Sequence, residues 1–257
     1  MLNGLGAPAA WVLLQRKGEA LQQRFEQQRT VARDVERFRE RAREIGSVEE
    51  LMRDRRSLQF VLEAFQLESE IDKRGIIRRL LTDDPQDVRS FANRMVDPRY
   101  RQINRAFGGI DGPPLADPRL VDRIVNLTLT NRFEKAQGEA NPGLREALYF
   151  KRMIGGVTNV NQLMSDRVLT AVARGALGLP EKFGLLSFEQ QRSILEKRID
   201  FKSFADPKAV DRFVQAYLIK TQGAQAPAQN PMLVLLDASG GAGGLLSFVG
   251  RNVSLRV

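Results

Sequence analysis

The sequence contains no cysteine and no histidine among its 257 residues. Without cysteine there can be no disulfide framework, no thiolate metal site and no cysteine nucleophile, and the redox compartment stays undetermined. Without histidine there is no Ser-His-Asp or Cys-His nucleophilic arrangement, no His-ligated zinc and no haem held by a proximal His. Most enzyme classes are therefore disfavoured. The sequence predicts no catalytic residues, no metal ligands and no cofactor.

The start of the chain lacks the features of a secretory signal. Residues Met1 to Leu14 have no basic n-region, and the apolar run Ala9 to Leu14 is too short for an h-region or a membrane span. We therefore expect no membrane span. The chain should be cytoplasmic, or exported by a route that uses no cleaved signal peptide.

Positive charge is in excess, with forty Lys and Arg against thirty-one Asp and Glu and a formal net charge of +9. Such a balance raises nucleic acid, a membrane surface or an acidic protein as partners. Acidic residues are interleaved with the basic ones, and one Trp and three Tyr offer little for base stacking. Nucleic acid is therefore disfavoured, and protein partners are expected.

No hairpin signal precedes residue 223, and Val and Ile follow helical rather than alternating spacing. Capping boxes are predicted at Ser47 with Glu50 and at Ser187 with Gln190. Asx-Pro pairs are typical of helix starts, because Asx caps the first turn and Pro fits it. Five such pairs occur: Asp84-Pro85, Asp97-Pro98, Asp117-Pro118, Asn141-Pro142 and Asp206-Pro207. The sequence predicts an all-α multi-helix bundle over residues 1–222.

The longest periodic stretch, residues 8–45, predicts a long helix or a broken pair with the break near Gln28 to Thr30. Core packing of its apolar face is favoured over an intermolecular coiled coil, because fewer than four clean heptads are present. Gly46 supplies a stop. That face comprises Trp11, Leu14, Leu21, Phe25, Ala32, Val35, Phe38, Ala42 and Ile45.

Two stretches of the sequence repeat each other. Val48, Leu51, Met52, Asp54 and Arg55 recur 112 positions later as Val160, Leu163, Met164, Asp166 and Arg167. This register predicts an internally duplicated helical unit, at about 47–107 and 158–220, with connecting helices over 118–155.

Residues 223–257 differ in composition from the body. An Ala/Gln/Pro linker precedes an apolar run, a Gly-rich stretch and a second apolar, β-prone segment. We predict a short non-helical or strand-forming tail, which either folds back on the body or docks on a partner. Its candidate partner-binding residues are Met232, Leu233, Leu235, Leu236, Leu245, Leu246 and Phe248.

A second candidate surface is the arginine stripe Arg29, Arg33, Arg37 and Arg41, which recurs every four residues. Like charges at this spacing destabilise an isolated helix by a few tenths of a kcal/mol per pair. Glu36, Glu40 and Glu44 each follow an arginine by three residues and offer it a partner. A solvated, ion-paired face is favoured over a docking site for an acidic partner, and both interpretations stay open.

Eight short segments follow one another in a distinctive order. They are Ala10-Trp11-Val12-Leu13-Leu14-Gln15, Val35-Glu36-Arg37-Phe38, Ser47-Val48-Glu49-Glu50-Leu51, Ala64-Phe65-Gln66-Leu67, Ser90-Phe91-Ala92-Asn93-Arg94, Asp97-Pro98-Arg99-Tyr100, Arg132-Phe133-Glu134 and Ala147-Leu148-Tyr149-Phe150. In this ordered set the sequence resembles a family of alphaproteobacterial proteins, the domain of unknown function numbered twelve-seventeen. The resemblance covers roughly Ala9 to Lys220.

The resemblance implies an all-helical fold and a structural or assembly role in the bacterial flagellum and motility, with flagellar components as protein partners. It brings no catalytic or cofactor residues. The alternative function is a basic helical nucleic-acid-binding or regulatory protein, and a homo-oligomer is left open. One departure is visible: the family tends to have Gly where Gln66 stands, whereas Gly178 keeps it in the second unit. A turn at Gln66 must therefore form without glycine.

Overall fold

A computed structural model describes the backbone of residues 4–110 and 112–229, and the side chains as far as Gln222. This part of the chain contains thirteen α-helices joined by turns and short 3₁₀ helices, and it contains no strand. The all-α prediction is confirmed. The candidate tail residues, from Met232 to Phe248, lie outside the described residues.

The N-terminal periodic stretch is a broken pair of helices. Helix α1 spans Ala7–Glu26 and α2 spans Arg29–Glu44. The break falls at Gln27 and Gln28, at the edge of the predicted interval, and the α2 end at Glu44 is followed by an extended Ile45. Because the chain bends at this point, the two apolar faces pack into different cores, as described below.

Eleven helices follow, and most of them are short. They are α3 Val48–Arg53, α4 Arg55–Ala64, α5 Arg74–Thr82, α6 Phe91–Arg94, α7 Pro98–Phe107, α8 Pro118–Ala140, α9 Leu144–Met153, α10 Val160–Met164, α11 Arg167–Leu177, α12 Phe188–Arg198 and α13 Pro207–Gln229. Helix α13 therefore continues seven residues past residue 222, where the sequence predicts the linker to begin.

Helix starts follow the Asx-Pro prediction at three sites without adjustment. Asp97 and Asp117 accept hydrogen bonds from the backbone N–H of Arg99 and Arg119, the second residues of α7 and α8, each at 2.9 Å, and α13 begins at Pro207. Near Asn141-Pro142, α9 begins two residues later, after Gly143 with φ +89°. Asn141 itself lies at the end of α8.

The prediction of a helix start at Asp84-Pro85 is wrong. Residues 83–90 form turns, in which the Asp84 carboxylate accepts the Gln86 N–H at 2.8 Å and Asp87 accepts the Arg89 N–H at 2.8 Å. The next helix begins at Phe91 and is capped by Ser90. An Asp side chain that bonds two residues ahead stabilises a turn as readily as a helix, so the same signal serves both.

Both predicted serine caps form, but only one is a capping box. Ser187 accepts the Gln190 N–H while the Gln190 side chain accepts the Ser187 N–H. At the other site Ser47 accepts the Glu50 N–H at 3.2 Å, and Glu50 instead accepts the Gly46 N–H at 2.8 Å. In a capping box the Glu50 carboxylate would accept the N–H of Ser47; here it accepts the N–H of Gly46, one residue earlier.

Buried side chains form two clusters, and the chain passes between them twice. The first core extends from Val31 to Leu129 and takes in α2 to α7 with the first half of α8. The second core combines α1 with the last half of α8 and α9 to α13. Phe25 packs against both clusters and meets Phe133 edge-on, with ring centroids 5.8 Å apart. Helix α8 is thus shared by the two cores.

The two predicted repeat units contain helices in the same order. Helices α4 and α11 end in the same hydrogen-bonded turn: Leu67 N–H bonds Leu62 O at 2.9 Å, and Leu179 N–H bonds Arg174 O at 3.0 Å. In each of these two turns one residue has positive φ: Gln66 at +57° in the first and Gly178 at +63° in the second. Duplication as such stays a prediction, but the turn without glycine at Gln66 is present.

Candidate functional site

The four predicted arginines lie on α2, and all four are exposed. Only one of the predicted Arg-to-Glu pairs forms, between Arg41 and Glu44. Arg37 bonds instead to Asp34, with its guanidinium nitrogen 2.9 Å from the carboxylate. The other oxygen of the Asp34 carboxylate lies 3.1 Å from the guanidinium of Arg132, on α8. Arg29 and Arg33 form no ion pair with any described residue.

A groove lies between α2 and α4, with a cavity volume of about 240 Å³. We call it the α2–α4 groove. Its floor is the stacked pair Phe38 and Phe60, whose ring centroids are 4.3 Å apart, and Arg132 lies 5.1 Å from the centre of the Phe60 ring. The groove is lined by Asp34, Arg37, Phe38, Arg41, Asp54, Arg56, Ser57 and Phe60.

Asp54 ties the two walls of this groove together. One oxygen caps α4 by accepting the Ser57 N–H at 3.1 Å, and the other accepts Arg41 Nε at 3.0 Å. Burial raises the pKa of the Asp54 carboxyl, but the hydrogen bonds from Ser57 and Arg41 outweigh it and the pKa is lowered overall. The bonds from Arg41 to Asp54 and Glu44 raise the pKa of Arg41. Both side chains are therefore charged at neutral pH.

The opposite flank of α2 faces α8 across a second groove, which we call the α2–α8 groove. One section has a volume of about 400 Å³ and an apolar lining that includes Ala42, Ile45, Leu115 and Val121. An adjoining, more open section of about 570 Å³ is lined in part by Val35 and Leu129. Arg39 and Arg43 line both sections. Helix α2 thus presents a groove on each side.

A polar network lies where the two cores meet, and we call it the junction network. Asn131 of α8 is nearly buried and donates to Glu63 O and Ala64 O, at 2.8 and 3.0 Å. Its side-chain oxygen accepts Gln66 Nε2 at 2.9 Å and a guanidinium nitrogen of Arg152 at 3.2 Å. Arg152 also pairs with the buried Glu134, 2.8 Å away. The network joins the end of α4 to α8 and α9.

A cavity of about 440 Å³ opens beside this network and holds further charged groups. Tyr149 donates its phenol hydrogen to Asp166, 2.6 Å away, and Asp166 caps α11. Burial and this bond raise the pKa of Tyr149, so the phenol stays protonated at neutral pH. Arg99 pairs with Asp97 and donates to Gln66 O at 2.7 Å. These bonds tie α7, α9 and the start of α11 to the turn that follows α4.

Sequence reasoning missed Arg56, Phe60 and the junction network. Arg56 directly follows the capping Asp54 and Arg55, so a basic cluster at the start of α4 was visible in the sequence. Its place opposite Arg37 and Arg41 depends on how α2 and α4 pack, which no local pattern specifies. Within the described residues, no group of three or more acidic side chains is placed to hold a metal ion, and no helix is long and apolar enough to cross a membrane.

Comparison with known proteins identifies the family. Residues 64–210 match the family model described as "Protein of unknown function (DUF1217)". The chain belongs to the DUF1217 family. The matched span contains the four side chains of the junction network, from Gln66 to Arg152, whereas Arg37, Arg41 and Arg56 of the α2–α4 groove precede it.

A solved structure supports the same fold. The chain is similar to the crystal structure of protein AGR_C_984 from Agrobacterium tumefaciens, with 26% sequence identity and a TM-score of 0.73. The similarity covers 87% of this chain and 94% of that one, so it includes helices on both sides of the DUF1217 match. No curated protein matches the chain.

Proposed function

We propose that this DUF1217 chain is a non-enzymatic structural or assembly protein that acts by binding other proteins, with flagellar components as its partners. The observation that carries the binding role is the exposure of α2. Of its sixteen residues, only Val31, Phe38 and Ala42 are buried. A helix so little embedded, with a groove on either flank, offers a surface of the kind that partner segments occupy.

The composition of α2 favours protein over nucleic acid as the partner. Six arginines alternate with Asp34, Glu36, Glu40 and Glu44 along the helix. A nucleic-acid surface gains its affinity from phosphate neutralisation, which interleaved carboxylates weaken. The aromatic rings nearest the arginines, Phe38 and Phe60, are only 2% and 4% exposed and offer no face for base stacking. The flagellar part of the proposal rests on the family resemblance given by the ordered sequence segments.

The binding role is tested by site-specific photo-crosslinking in a motile bacterium that encodes the chain. A photoreactive residue replaces Arg33, on the arginine stripe of α2. In the control it replaces Arg105, an exposed residue on the outer side of α7. We expect discrete protein adducts from position 33 and none of the same adducts from position 105. Identical adduct patterns from both positions would reject α2 as the binding surface.

The flagellar role is tested by deleting the gene and counting filaments by electron microscopy alongside a swimming assay. Fewer or misplaced filaments, restored by a plasmid copy, are expected. Normal filaments and normal swimming in the deletion strain would reject the flagellar proposal. Tight binding of duplex DNA that weakens steeply with salt, together with no protein adducts, would favour the nucleic-acid alternative.

A further inference from the structure

We infer that the α2–α4 groove binds an acidic segment of a partner protein, with a Glu or Asp carboxylate held among Arg37, Arg41 and Arg56. This inference rests on the proposed protein-binding function and names the chemistry that one of its surfaces recognises. Hydrogen-bond donors of the arginines in this groove outnumber the acceptors that the groove offers them.

The acidic groups of the groove already have partners on both oxygens. In Asp34, one oxygen accepts Arg37 and the other accepts Arg132, at 2.9 and 3.1 Å. In Asp54, one oxygen accepts the Ser57 N–H and the other accepts Arg41. Each carboxylate therefore already shares its charge with the groups that hold it, and none of these groups is Arg56.

The basic groups, by contrast, have donors to spare. A guanidinium carries five N–H donors and no acceptor. Arg37 uses one nitrogen in its bond to Asp34, and Arg41 uses two in its bonds to Asp54 and Glu44. Arg56 forms no ion pair with any described residue, although it lines the same groove and is exposed. The groove is thus rich in unused donors and carries one net positive charge from three Arg and two Asp.

The size and floor of the groove fit a side chain better than a folded surface. A volume of about 240 Å³ holds an acidic side chain and part of its neighbour, not a domain. The buried Phe38 and Phe60 rings form an apolar floor for the methylene groups of a Glu. Arginine forks bind carboxylates with two parallel bonds, which gives such a contact geometric specificity.

The test measures binding of a fluorescein-labelled peptide of alternating Glu and Ala to the full-length chain by fluorescence anisotropy. A second peptide has Gln in place of Glu. We expect the Glu peptide to bind and the Gln peptide to bind at least about tenfold more weakly, because charge-assisted bonds to arginine are lost. Absence of Glu-peptide binding overturns the inference.

Specificity for the groove is tested with Arg56→Gln against Arg105→Gln, which removes the same charge from another exposed arginine without an ion pair in the described residues. We expect about a tenfold weaker Kd for Arg56→Gln and a change below about twofold for Arg105→Gln. Equal losses in the two variants would mean that net charge alone attracts the peptide, and would overturn the inference. Arg56→Lys, which keeps the charge but not the fork, should fall between wild type and Arg56→Gln.

Two further outcomes separate this inference from the proposed function. Displacement of the peptide from the groove by a short DNA duplex at lower concentration would show a nucleic-acid surface and overturn the inference. Protein adducts from position 33 with no peptide binding would leave the proposed function standing while this inference fails. Because Arg56 is exposed and unpaired, its variants should melt at the wild-type temperature, so lost binding would not reflect lost folding.

Discussion

Gln66 occupies a backbone conformation that favours glycine, and this strain is directly measurable. Its φ of +57° matches the +63° of Gly178, which ends α11 in the same way that Gln66 ends α4. Among the described residues, Gln66 is the one non-glycine residue with positive φ. We predict that Gln66→Gly is more stable than Gln66→Ala, although alanine is the better residue inside a helix.

The expected difference follows from two opposing contributions. A Cβ atom in the left-handed region costs roughly 1–2 kcal/mol, which Ala keeps and Gly removes. Glycine lowers the free energy of unfolding by roughly 0.5–1 kcal/mol relative to alanine, because it gives the unfolded chain more conformational freedom. Both variants lose the bond of about 1 kcal/mol to Asn131, whose oxygen keeps Arg152 at 3.2 Å. The Gly variant should therefore lie near wild type, and the Ala variant about 1 kcal/mol below the Gly variant.

Thermal unfolding followed by circular dichroism gives the comparison. For a chain of this size, about 1 kcal/mol corresponds to a Tm difference of roughly 2–4 °C. The matched control is Gly178→Ala, which places a Cβ in the same conformation and against the flexible end of Lys220, 2.6 Å from Nζ. It should lower Tm by a similar or larger amount. A Gln66→Ala variant as stable as Gln66→Gly, or more stable, would refute the reasoning.

Three further predictions concern titratable groups. Tyr149→Phe removes the phenol bond to the buried Asp166 and should lower the free energy of unfolding by about 1.5–3 kcal/mol, measured by urea denaturation; no change would contradict the bond. Asp54 has a lowered pKa in the folded protein. Its contribution to the free energy of unfolding is therefore complete above the pKa of about 3.9 that Asp has in the unfolded chain, and it is lost as the pH falls through the folded pKa. Asp54→Asn keeps a cap but loses the charge pair with Arg41, and its urea midpoint should fall less than that of wild type below about pH 4; parallel curves would contradict this. Desolvation raises the pKa of all three tyrosines, so absorbance titration should show less phenolate at pH 10 in the native protein than in the urea-unfolded chain, and equal fractions would contradict the desolvation of Tyr100, Tyr149 and Tyr217.

Local signals in the sequence predict most of the helices but not how they pack. Asp97 and Asp117 begin helices because a cap and a proline act within one turn, and sequence separation plays no part. Asp84 carries the same signal but lies in a turn. The Asn93 side chain donates to Pro85 O and Asp87 O across this loop, and such a contact cannot be seen in the local sequence. The break at Gln28 was visible as a polar residue where an apolar one was due.

The candidate site is less accessible to sequence reasoning than the fold. The four-residue spacing reveals the arginine stripe. The sequence predicts ion-pair partners for it only within α2, because local spacing shows only residues that are close in the chain. In the structure Arg41 reaches Asp54 across the groove, and Asp34 is shared with Arg132 of α8. The junction network could not be found, since Gln66, Asn131 and Arg152 lie far apart in the chain and meet only through the packing of α4, α8 and α9.

The placement of α1 in the second core has a consequence for how the chain is made. Ala10, Trp11 and Leu14 are synthesised before the rest of the second core, yet they pack with α13, whose buried Val210 and Val214 come about 200 residues later. At roughly 5–20 residues per second, the ribosome needs about 10–40 s to supply these partners. The first core can assemble in that interval. The apolar face of α1 lacks its final neighbours during this time, and transiently exposed apolar surface of this kind is prone to aggregation.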